Sequence, residues 1–296
     1  LGTDRLDPAR DLTSTIESAS FTLEPAVTEA LLTRVPARFG VEINDVLLAG
    51  LATAVAEHRS TGGGSAVLLN VAGHGREDII DGADVSRTVG SFTSTFPARV
   101  GPVPPCQDGD REAWARRALH AVHTQLRELP GRGIGYGLLR YLSEETRDPL
   151  AALGTPQISF SYLGRFPAGG DADWGLAPES WALHRHTPED LPAAWVLDIQ
   201  AMACEGEGGQ RFCAELSWPG RLLGRAEVAA IGEAWLRTLR EFARCGGGAP
   251  AVGPGPEADP RLAGFPLLSL TEADLGLVIA EIDGAQGSSV FKGTAA

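Results

Sequence analysis

Segments of helical periodicity alternate with segments of strand periodicity along this chain, and the alternation restricts the fold to few architectures. Residues 25–38 and 44–58 carry apolar side chains at helical spacing, and the second segment is apolar on nearly every side. Residues 66–72 form a largely apolar run of strand length, which is typical of a central strand. Interleaved helices and strands predict an α/β fold, a two-layer sandwich with a mixed β-sheet.

Other segments complete this pattern. Residues 1–20 are predicted to be irregular, and either Asn44 or Asp45 is expected to cap the helix that begins there. The alternating runs 195–201 and 212–218 predict an antiparallel hairpin whose loop is longer than two residues. The remaining predictions are strands at 92–100 and 157–162, and helices at 111–129, just after Gly137, and at 228–242. Pro97 indicates that the strand at 92–100 lies at an edge or contains a bulge.

Composition divides the chain into three parts. Residues 1–245 carry the periodic segments and are predicted to form one lobe. Residues 246–263 are rich in Gly and Pro, which predicts a linker. Residues 264–296 form a tail with a short apolar segment and one helix near 271–282. The chain lacks an initiator Met and is expected to be a piece of a longer protein.

Charge and cysteine content exclude several classes of function. The net charge of -13 and the pI of about 4.9 argue against binding of nucleic acid, because an acidic surface repels phosphates. No apolar run reaches about 18 residues and no signal peptide is visible, so we expect no membrane span and a cytoplasmic protein. The four cysteines form no C-x-x-C pair and are predicted to be free thiols. They are Cys106, Cys204, Cys213 and Cys245.

Two histidine pairs are the candidates for a metal site. His120 and His123 stand one turn apart on a predicted helix, and His184 and His186 stand in a polar loop. A structural or catalytic metal needs three or four convergent ligands, and neither pair has an evident third. We therefore predict no metal site and interpret these histidines as solvated surface residues.

The glycine-rich segment 131–137 resembles a phosphate-binding loop only superficially. A dinucleotide fingerprint follows a strand, whereas a helix precedes this segment. Two interpretations stay open. Glycine permits unusual backbone angles in a turn between two helices, and it also permits close approach of the backbone to a bulky ligand.

The segment 70–78 directly follows the predicted central strand, where a loop can present side chains to a cleft. His74, Arg76 and Glu77 are therefore site candidates. The alternative is an internal polar network of Arg76, Glu77 and Asp78 that only holds the loop. Tyr162 follows the face of the apolar residues in its strand, which favours a core position over a catalytic one.

Four short segments stand in a fixed order along the chain. They are Ala72-Gly73-His74-Gly75-Arg76-Glu77, Arg87-Thr88-Val89-Gly90-Ser91-Phe92-Thr93, Gly131-Arg132-Gly133-Ile134-Gly135-Tyr136-Gly137 and Phe160-Ser161-Tyr162-Leu163-Gly164. Together they resemble the epimerization branch of the condensation-domain family of nonribosomal peptide synthetases. Residues 4–11, 43–48 and 265–270 also fit the family's pattern. The tail resembles the lead-in to a following domain.

The resemblance implies a fold and a substrate. Family members are V-shaped pseudo-dimers of two chloramphenicol-acetyltransferase-like lobes, and this chain resembles the C-terminal lobe only. The epimerization branch inverts the α-carbon of an aminoacyl or peptidyl thioester from L to D. The expected partners are a peptidyl carrier protein, whose phosphopantetheine arm holds the substrate, and the N-terminal lobe. No cofactor is expected to be bound by this lobe itself.

The chain departs from the family's motifs at three positions. Ala72 stands where the family has a Glu that transfers a proton, Ser91 replaces a Trp, and Ser161 replaces an Asn. The HHxxxDG motif of the first lobe is absent from this chain. The catalytic candidates that remain are Glu77, His74 and Tyr162. The expected cleft residues are Gly73, His74, Gly75, Arg76, Arg87, Thr88, Ser91, Tyr136, Ser161 and Tyr162.

These departures predict a degenerate epimerization lobe that is inactive alone. A different hypothesis is a non-catalytic module that docks a carrier protein or a tailoring enzyme. An active split enzyme, completed by a separate first-lobe chain, is a third possibility. The missing HHxxxDG argues against a stand-alone acyltransferase.

Overall fold

The computed structural model describes residues 1, 5–59, 66–77, 79, 82, 84–85, 87–101, 103, 110–166, 188–206 and 208–247. These residues all belong to one unit of the chain, Leu1–Ala249. The predicted tail 264–296 and all but the first two residues of the predicted linker lie outside them, as do Asp78, Cys106, His184 and His186.

Six strands form one sheet in the order β1-β6-β5-β4-β2-β3. The strands are β1 Ile16–Leu23, β2 Val67–Gly73, β3 Ser94–Val100, β4 Ile158–Phe166, β5 Leu197–Gly206 and β6 Gly209–Pro219. β4 runs parallel to both β2 and β5, and the other three pairs are antiparallel. The predicted α/β fold with a mixed sheet is therefore confirmed. β3 is an edge strand, as Pro97 indicated.

The long helices of the chain cover one face of this sheet. The helices are α1 Pro25–Glu29, α2 Val35–Phe39, α3 Ile43–His58, α4 Arg111–Arg127, α5 Tyr136–Tyr141, α6 Arg147–Ala152 and α7 Arg225–Gly246, and a π-helix, Ala30–Arg34, joins α1 to α2. α3 packs against α7 at Gly50, where an added Cβ would lie 3.0 Å from Leu239. The indole of Trp235 donates to the carbonyl of Leu47 at 3.0 Å and fixes this contact.

The two faces of the sheet differ in polarity. Val71, Phe160 and Ile199 are register partners on three neighbouring strands, and all are buried in the core that the long helices share. Side chains alternate along a strand, so Ala72, Ser161 and Gln200 point to the opposite face. Ser and Gln at these positions make the second face polar. Two of the three departures from the family motifs, Ala72 and Ser161, therefore lie on this polar face.

Three local predictions were wrong. Residues 1–20 are not all irregular, because β1 begins at Ile16 and pairs with β6. The alternation of Ala19, Phe21 and Leu23 with Ser18, Ser20 and Thr22 is a strand period, which the prediction of an irregular segment overlooked. The β5–β6 loop is two residues long, since Gly206 pairs with Gly209. Neither Asn44 nor Asp45 is the cap residue of α3, which begins at Ile43. Asp45 instead reaches back to accept the Glu42 N–H at 2.7 Å.

Within the described part of the chain, no single helix is both long and apolar enough to span a membrane. The helical segments Pro25–Phe39 and Ile43–His58 meet that length and composition criterion only when taken as a pair, which is bent by 102°.

An ion pair joins the segment before β1 to the residues that follow β6. Asp11 is buried and accepts from the Arg221 guanidinium, at 3.0 Å from Nε to Oδ1 and 2.7 Å from Nη2 to Oδ2. This hydrogen bonding lowers the pKa of the Asp11 carboxyl, and burial opposes the shift. The lowered pKa means that folding favours the ionised carboxylate.

We expect Asp11→Asn to reduce the free energy of unfolding at pH 7 by about 2 kcal/mol, because charge-assisted hydrogen bonds are lost. The folded-state pKa lies below the unfolded-state value of about 3.9. The stabilisation is therefore present above about pH 4 and disappears as the pH falls through the folded-state value. Urea denaturation of both proteins at pH 7 and pH 3 measures this. An equal difference at the two pH values would contradict the ionic origin of the effect.

Candidate functional site

The loop that follows β2 lies directly on the segment before β3. Gly75 has φ of 65°, and a Cβ built on it would overlap the carbonyl of Phe92. Only glycine tolerates both this backbone angle and this approach. The sequence Gly73-His74-Gly75 thus brings the loop at 73–77 into contact with the segment 91–93. Two motifs that lie about 15 residues apart in sequence become neighbours in space.

Arg76 ties the same two segments together. Its guanidinium donates to the carbonyls of Val85 and, at 3.4 Å, of Gly90, and it lies 4.3 Å from the centroid of the Phe92 ring. Glu77 instead approaches His74 Nε2 at 3.5 Å and Arg132 Nε at 3.7 Å. Arg76 therefore holds the loop through backbone carbonyls, and not through the predicted contact with Glu77. Asp78, the third member of that predicted network, is outside the described residues.

The glycine-rich segment is a turn between α4 and α5. Gly131 and Gly133 have φ of 52° and 82°, and Arg132 between them has φ of 50°. A Cβ on Gly133 would overlap the ring of Phe96 in β3. The interpretation of this segment as a turn that needs unusual backbone angles is confirmed. The turn delivers Tyr136 to the polar face of the sheet.

Two of the three departures from the family motifs lie side by side. Ala72 in β2 pairs with Ser161 in β4 and, on its other side, with Thr95 in β3. Directly opposed residues of neighbouring strands share a face, so all three side chains lie on the polar face. The family's Glu, which is Ala72 here, and the family's Asn, which is Ser161 here, therefore occupy adjacent positions on the sheet. Ser91 lies apart from them, exposed in the segment before β3.

A cavity of about 510 Å³ opens over the polar face between β2, β3 and helices α5 and α6. We call it the sheet cavity. Residues that line it include Asn70, Phe92, Thr93, Thr95, Pro97, Tyr136, Gly137, Arg140, Tyr141 and Trp195. Among the described residues that line it, the titratable side chains are Tyr136, Arg140 and Tyr141, and none is a carboxylate or an imidazole. The sheet cavity can therefore bind and orient a substrate, but it holds no group whose ordinary pKa lies near neutrality.

A smaller pocket, of about 90 Å³, lies at the end of β2 near α3 and α4. We call it the strand-end pocket. It is lined by Ala72, Gly73, His74 and Glu77 and by residues of the helices and the glycine turn: Glu42, Asn44, Asp45, His123 and Arg132. The His74 side chain is 63% exposed, and its Nδ1 accepts from the Arg76 N–H at 2.9 Å. Glu77 and His74 thus line the strand-end pocket and not the sheet cavity.

Asp45 and His123 form a buried pair in the strand-end pocket, with 2.7 Å between Oδ2 and Nδ1. Burial raises the pKa of the Asp45 carboxyl, and hydrogen bonds from the Glu42 N–H and from His123 oppose that shift. The pair joins the start of α3 to α4. No local pattern indicates this pair, because 78 residues separate the partners.

Of the histidines considered for a metal site, the structure describes His120 and His123, and the interpretation as solvated surface residues is wrong for His123. His123 pairs with Asp45, and His120 on the same helix is exposed. Over the described ranges, no three His, Cys, Asp or Glu side chains come together in a way that could hold a metal ion.

The other predicted site residues are dispersed. Tyr162 pairs with Ala201 on the buried face, opposite to Ser161, and it packs against the core. Burial raises the pKa of its phenol, and the nearby Arg165 opposes the shift. Arg87 and Thr88 are exposed. Of the predicted cleft residues that the structure describes, Tyr136 lines the sheet cavity, and Gly73 and His74 line the strand-end pocket.

Comparisons of sequence show similarity between this chain and short parts of much longer proteins. The family model described as Condensation domain matches residues 5–208. A protein of the linear gramicidin synthase of Brevibacillus parabrevis is 33% identical over 249 residues, which is 82% of this chain and 4% of that protein. Surfactin synthase subunit 2 of Bacillus subtilis is 36% identical over 203 residues, which is 68% of this chain and 5% of that protein. The chain therefore spans 4 to 5% of the length of these two relatives.

Solved structures share the fold. The epimerization domain from the third module of tyrocidine synthetase B matches with a TM-score of 0.65 and 28% identity, over 84% of this chain and 52% of that one. The X-domain from teicoplanin biosynthesis, in its complex with OxyB, matches with a TM-score of 0.52 and 16% identity, over 82% of this chain and 49% of that one. The second likeness concerns the fold alone. These neighbours confirm the predicted fold class, including its acetyltransferase-like lobe.

Proposed function

The chain belongs to the condensation-domain family, and we propose that it is the C-terminal lobe of an epimerization-type domain in a nonribosomal peptide synthetase. Its substrate is an aminoacyl or peptidyl thioester on the phosphopantetheine arm of a peptidyl carrier protein in the cytoplasm. The N-terminal lobe supplies the other wall of the reaction chamber. Residues 1–245 form the lobe, 246–263 the linker, and 264–296 the lead-in to a following domain. The 28% identity to an epimerization domain over 84% of this chain supports the assignment.

The chemistry of this reaction sets a requirement for the site. Inversion of an α-carbon needs a proton-transfer group on each face of the carbon, and it needs donors for the developing enolate oxygen. Ala72 carries a methyl group, which cannot transfer a proton, at the position where the family has Glu. The described lining of the sheet cavity has no carboxylate or imidazole, and in the strand-end pocket, which Ala72 lines, Glu77 lies between His74 and Arg132. This is the observation that carries our proposal that the lobe is catalytically degenerate.

Glu77 and His74 share the strand-end pocket with Ala72, and neither stands at the motif position of the family's Glu. Glu77 is 17% exposed and lies 3.5 Å from His74 Nε2 and 3.7 Å from Arg132 Nε. Both Glu77 and His74 line the strand-end pocket, and neither lines the sheet cavity.

A second candidate function is a non-catalytic docking module for a carrier protein or a tailoring enzyme. The observation that favours it is an apolar patch on the surface of α5 and α6, which we call the helical patch. Its members are Leu138, Leu139, Tyr141, Leu142 and Leu153, which are 48 to 75% exposed. Large apolar side chains clustered on a surface are typical of interaction sites. The X-domain, whose fold this chain shares, was solved in complex with OxyB.

One experiment separates these functions. A carrier protein loaded with an L-aminoacyl phosphopantetheine is mixed in heavy water with the domain that contains this lobe and its first lobe. We expect the loaded carrier to bind and its α-proton not to exchange. Failure to bind any loaded carrier contradicts the proposed substrate class. Binding that is unaffected by removal of the aminoacyl group supports the docking function instead.

The helical patch predicts self-association of the isolated chain, because nothing in the described unit covers its apolar side chains. We expect Leu142→Glu to weaken this association tenfold or more, which corresponds to about 1.4 kcal/mol. Light scattering over a concentration series measures it. Val89→Glu is the matched control, since Val89 is 99% exposed and outside the patch. A wild-type chain that stays monomeric throughout the series would contradict the prediction.

A further inference from the structure

Asn70 is a polar residue in an otherwise apolar stretch of β2. It is 7% exposed, between the apolar residues Leu69 and Val71. A buried carboxamide needs hydrogen-bond partners, because an unpaired one costs about 1–3 kcal/mol. Over the part of the chain that the structure describes, the Asn70 side chain forms no hydrogen bond, and Asn70 lines the sheet cavity. Its donors and its acceptor are therefore available to a molecule in the cavity.

The position of Asn70 relates it to the altered motif residues. Asn70 pairs in register with Ser159 of β4 and with Pro97 of β3, and Ala72 pairs with Ser161 and Thr95 one step further along. Residues two apart in a strand share a face. Asn70 therefore lies on the same face as Ser161 and diagonal to it. The amide of Asn70 therefore lies one register step along the same face from residue 161, where the family has its Asn.

We propose that Asn70 is a substrate-binding residue of the sheet cavity, whose carboxamide N–H donates to the carbonyl oxygen of a bound acyl thioester. This inference rests on the proposed function, because it takes the acyl thioester as the ligand. In this proposal Asn70 supplies the amide that the chain lacks at residue 161, where Ser161 replaces the family's Asn. A serine hydroxyl is shorter than an asparagine amide and offers one donor where the amide offers two.

The composition of the chain allows a direct test, because it contains only two asparagines, Asn70 and Asn44. Asn44 lines the strand-end pocket, so its side-chain amide is an internal control. The full chain is labelled with ¹⁵N in the side chains of asparagine and tryptophan. It is then titrated with the N-acetylcysteamine thioester of N-acetylalanine, and the amide and indole signals are followed by NMR. The Trp195 indole reports independently on occupancy of the sheet cavity.

We expect the Asn70 side-chain amide and the Trp195 indole to shift with the same saturation curve, while Asn44 does not shift. The matched thioether, which lacks the carbonyl oxygen, is expected to leave the Asn70 amide unshifted. If the thioester shifts Trp195 but not Asn70, the inference is overturned and the proposed function stands. If it shifts neither signal, both the inference and the proposed substrate class are overturned.

Variants provide the second measurement. We expect Asn70→Ser to weaken binding of the thioester about three- to tenfold, which corresponds to one neutral hydrogen bond. Asn70→Asp keeps the shape and the acceptors but removes the donors, so we expect it to weaken binding at least as much. Asn44→Ser is the control and is expected to leave the dissociation constant unchanged. Equal affinities for the wild type and both Asn70 variants, with the folded state verified by circular dichroism, would overturn the inference.

Discussion

Ala72→Glu is expected to raise the rate of α-proton exchange on a carrier-bound aminoacyl thioester by about 10²–10⁴-fold, the usual contribution of a positioned general acid or base. The side chain at residue 72 lies on the polar face of the sheet, beside Ser161 and Thr95. A carboxylate there extends over the face on which the sheet cavity opens. The measurement is deuterium uptake at the α-carbon in heavy water, followed by mass spectrometry, with the two-lobed domain.

Ala72→Gln is the matched control for this substitution. Glutamine has nearly the same size and shape as glutamate but does not transfer a proton near neutral pH. If exchange rises equally in both variants, the gain comes from filling the space at residue 72 and not from proton transfer. No gain with Ala72→Glu would contradict the role that we assign to Ala72. The combination with Ser161→Asn would then test the neighbouring departure, since the two residues are register partners.

Gly75→Ala is expected to displace the loop at 73–77 from the Phe92 segment and to destabilise the protein by about 3 kcal/mol. Two effects add at this position. Its φ of 65° disfavours any residue with a Cβ, and the added methyl group would overlap the carbonyl of Phe92. The backbone on both sides is held by Arg76, so the overlap is not relieved by a flexible side chain.

Gly82→Ala separates these two effects. Gly82 also has a positive φ, of 78°, but an added Cβ would meet nothing within 4 Å. We expect Gly82→Ala to reduce the free energy of unfolding by only about 1 kcal/mol, the cost of the unfavourable backbone angle. Guanidinium denaturation gives the stability of each variant, and hydrogen exchange of the amides at 73–77 and 91–93 reports on the loop. Equal stability losses in the two variants would contradict the packing of the loop against Phe92.

Much of this fold was predictable because several of its elements have a clear local sequence pattern. The helix at 44–58 and the strand at 66–72 are largely apolar segments, and both are observed within one residue of their predicted limits. Pro97 correctly placed β3 at an edge. The strand at Ile16–Leu23 was missed although its residues 18–23 alternate between polar and apolar side chains, which is a usable strand signal. Its place in the sheet depends on β6, about 190 residues further along the chain.

The residues of the candidate site stay a prediction from the family motifs, and their arrangement could not be predicted from the sequence. The family motifs identified Ala72, Ser161 and Tyr136 from the sequence. The side-by-side position of Ala72 and Ser161 follows from the pairing of β2 with β4, which is a long-range contact. For the same reason the pattern did not reveal that Asp45 pairs with His123, or that Glu77 lies with His74 in the strand-end pocket and away from the sheet cavity. Asn70 carried a signal that could have been used, since it is a lone polar residue in a buried strand.

The most direct test is the rate of α-proton exchange by the two-lobed domain with Ala72 unchanged. An L-aminoacyl carrier protein is incubated with it in heavy water at neutral pH, beside the same carrier protein alone. A chamber that lacks one of its two proton-transfer groups should leave both samples with the same rate of deuterium uptake. Deuterium uptake that is clearly faster with the domain, together with conversion of the L to the D amino acid, would contradict the account.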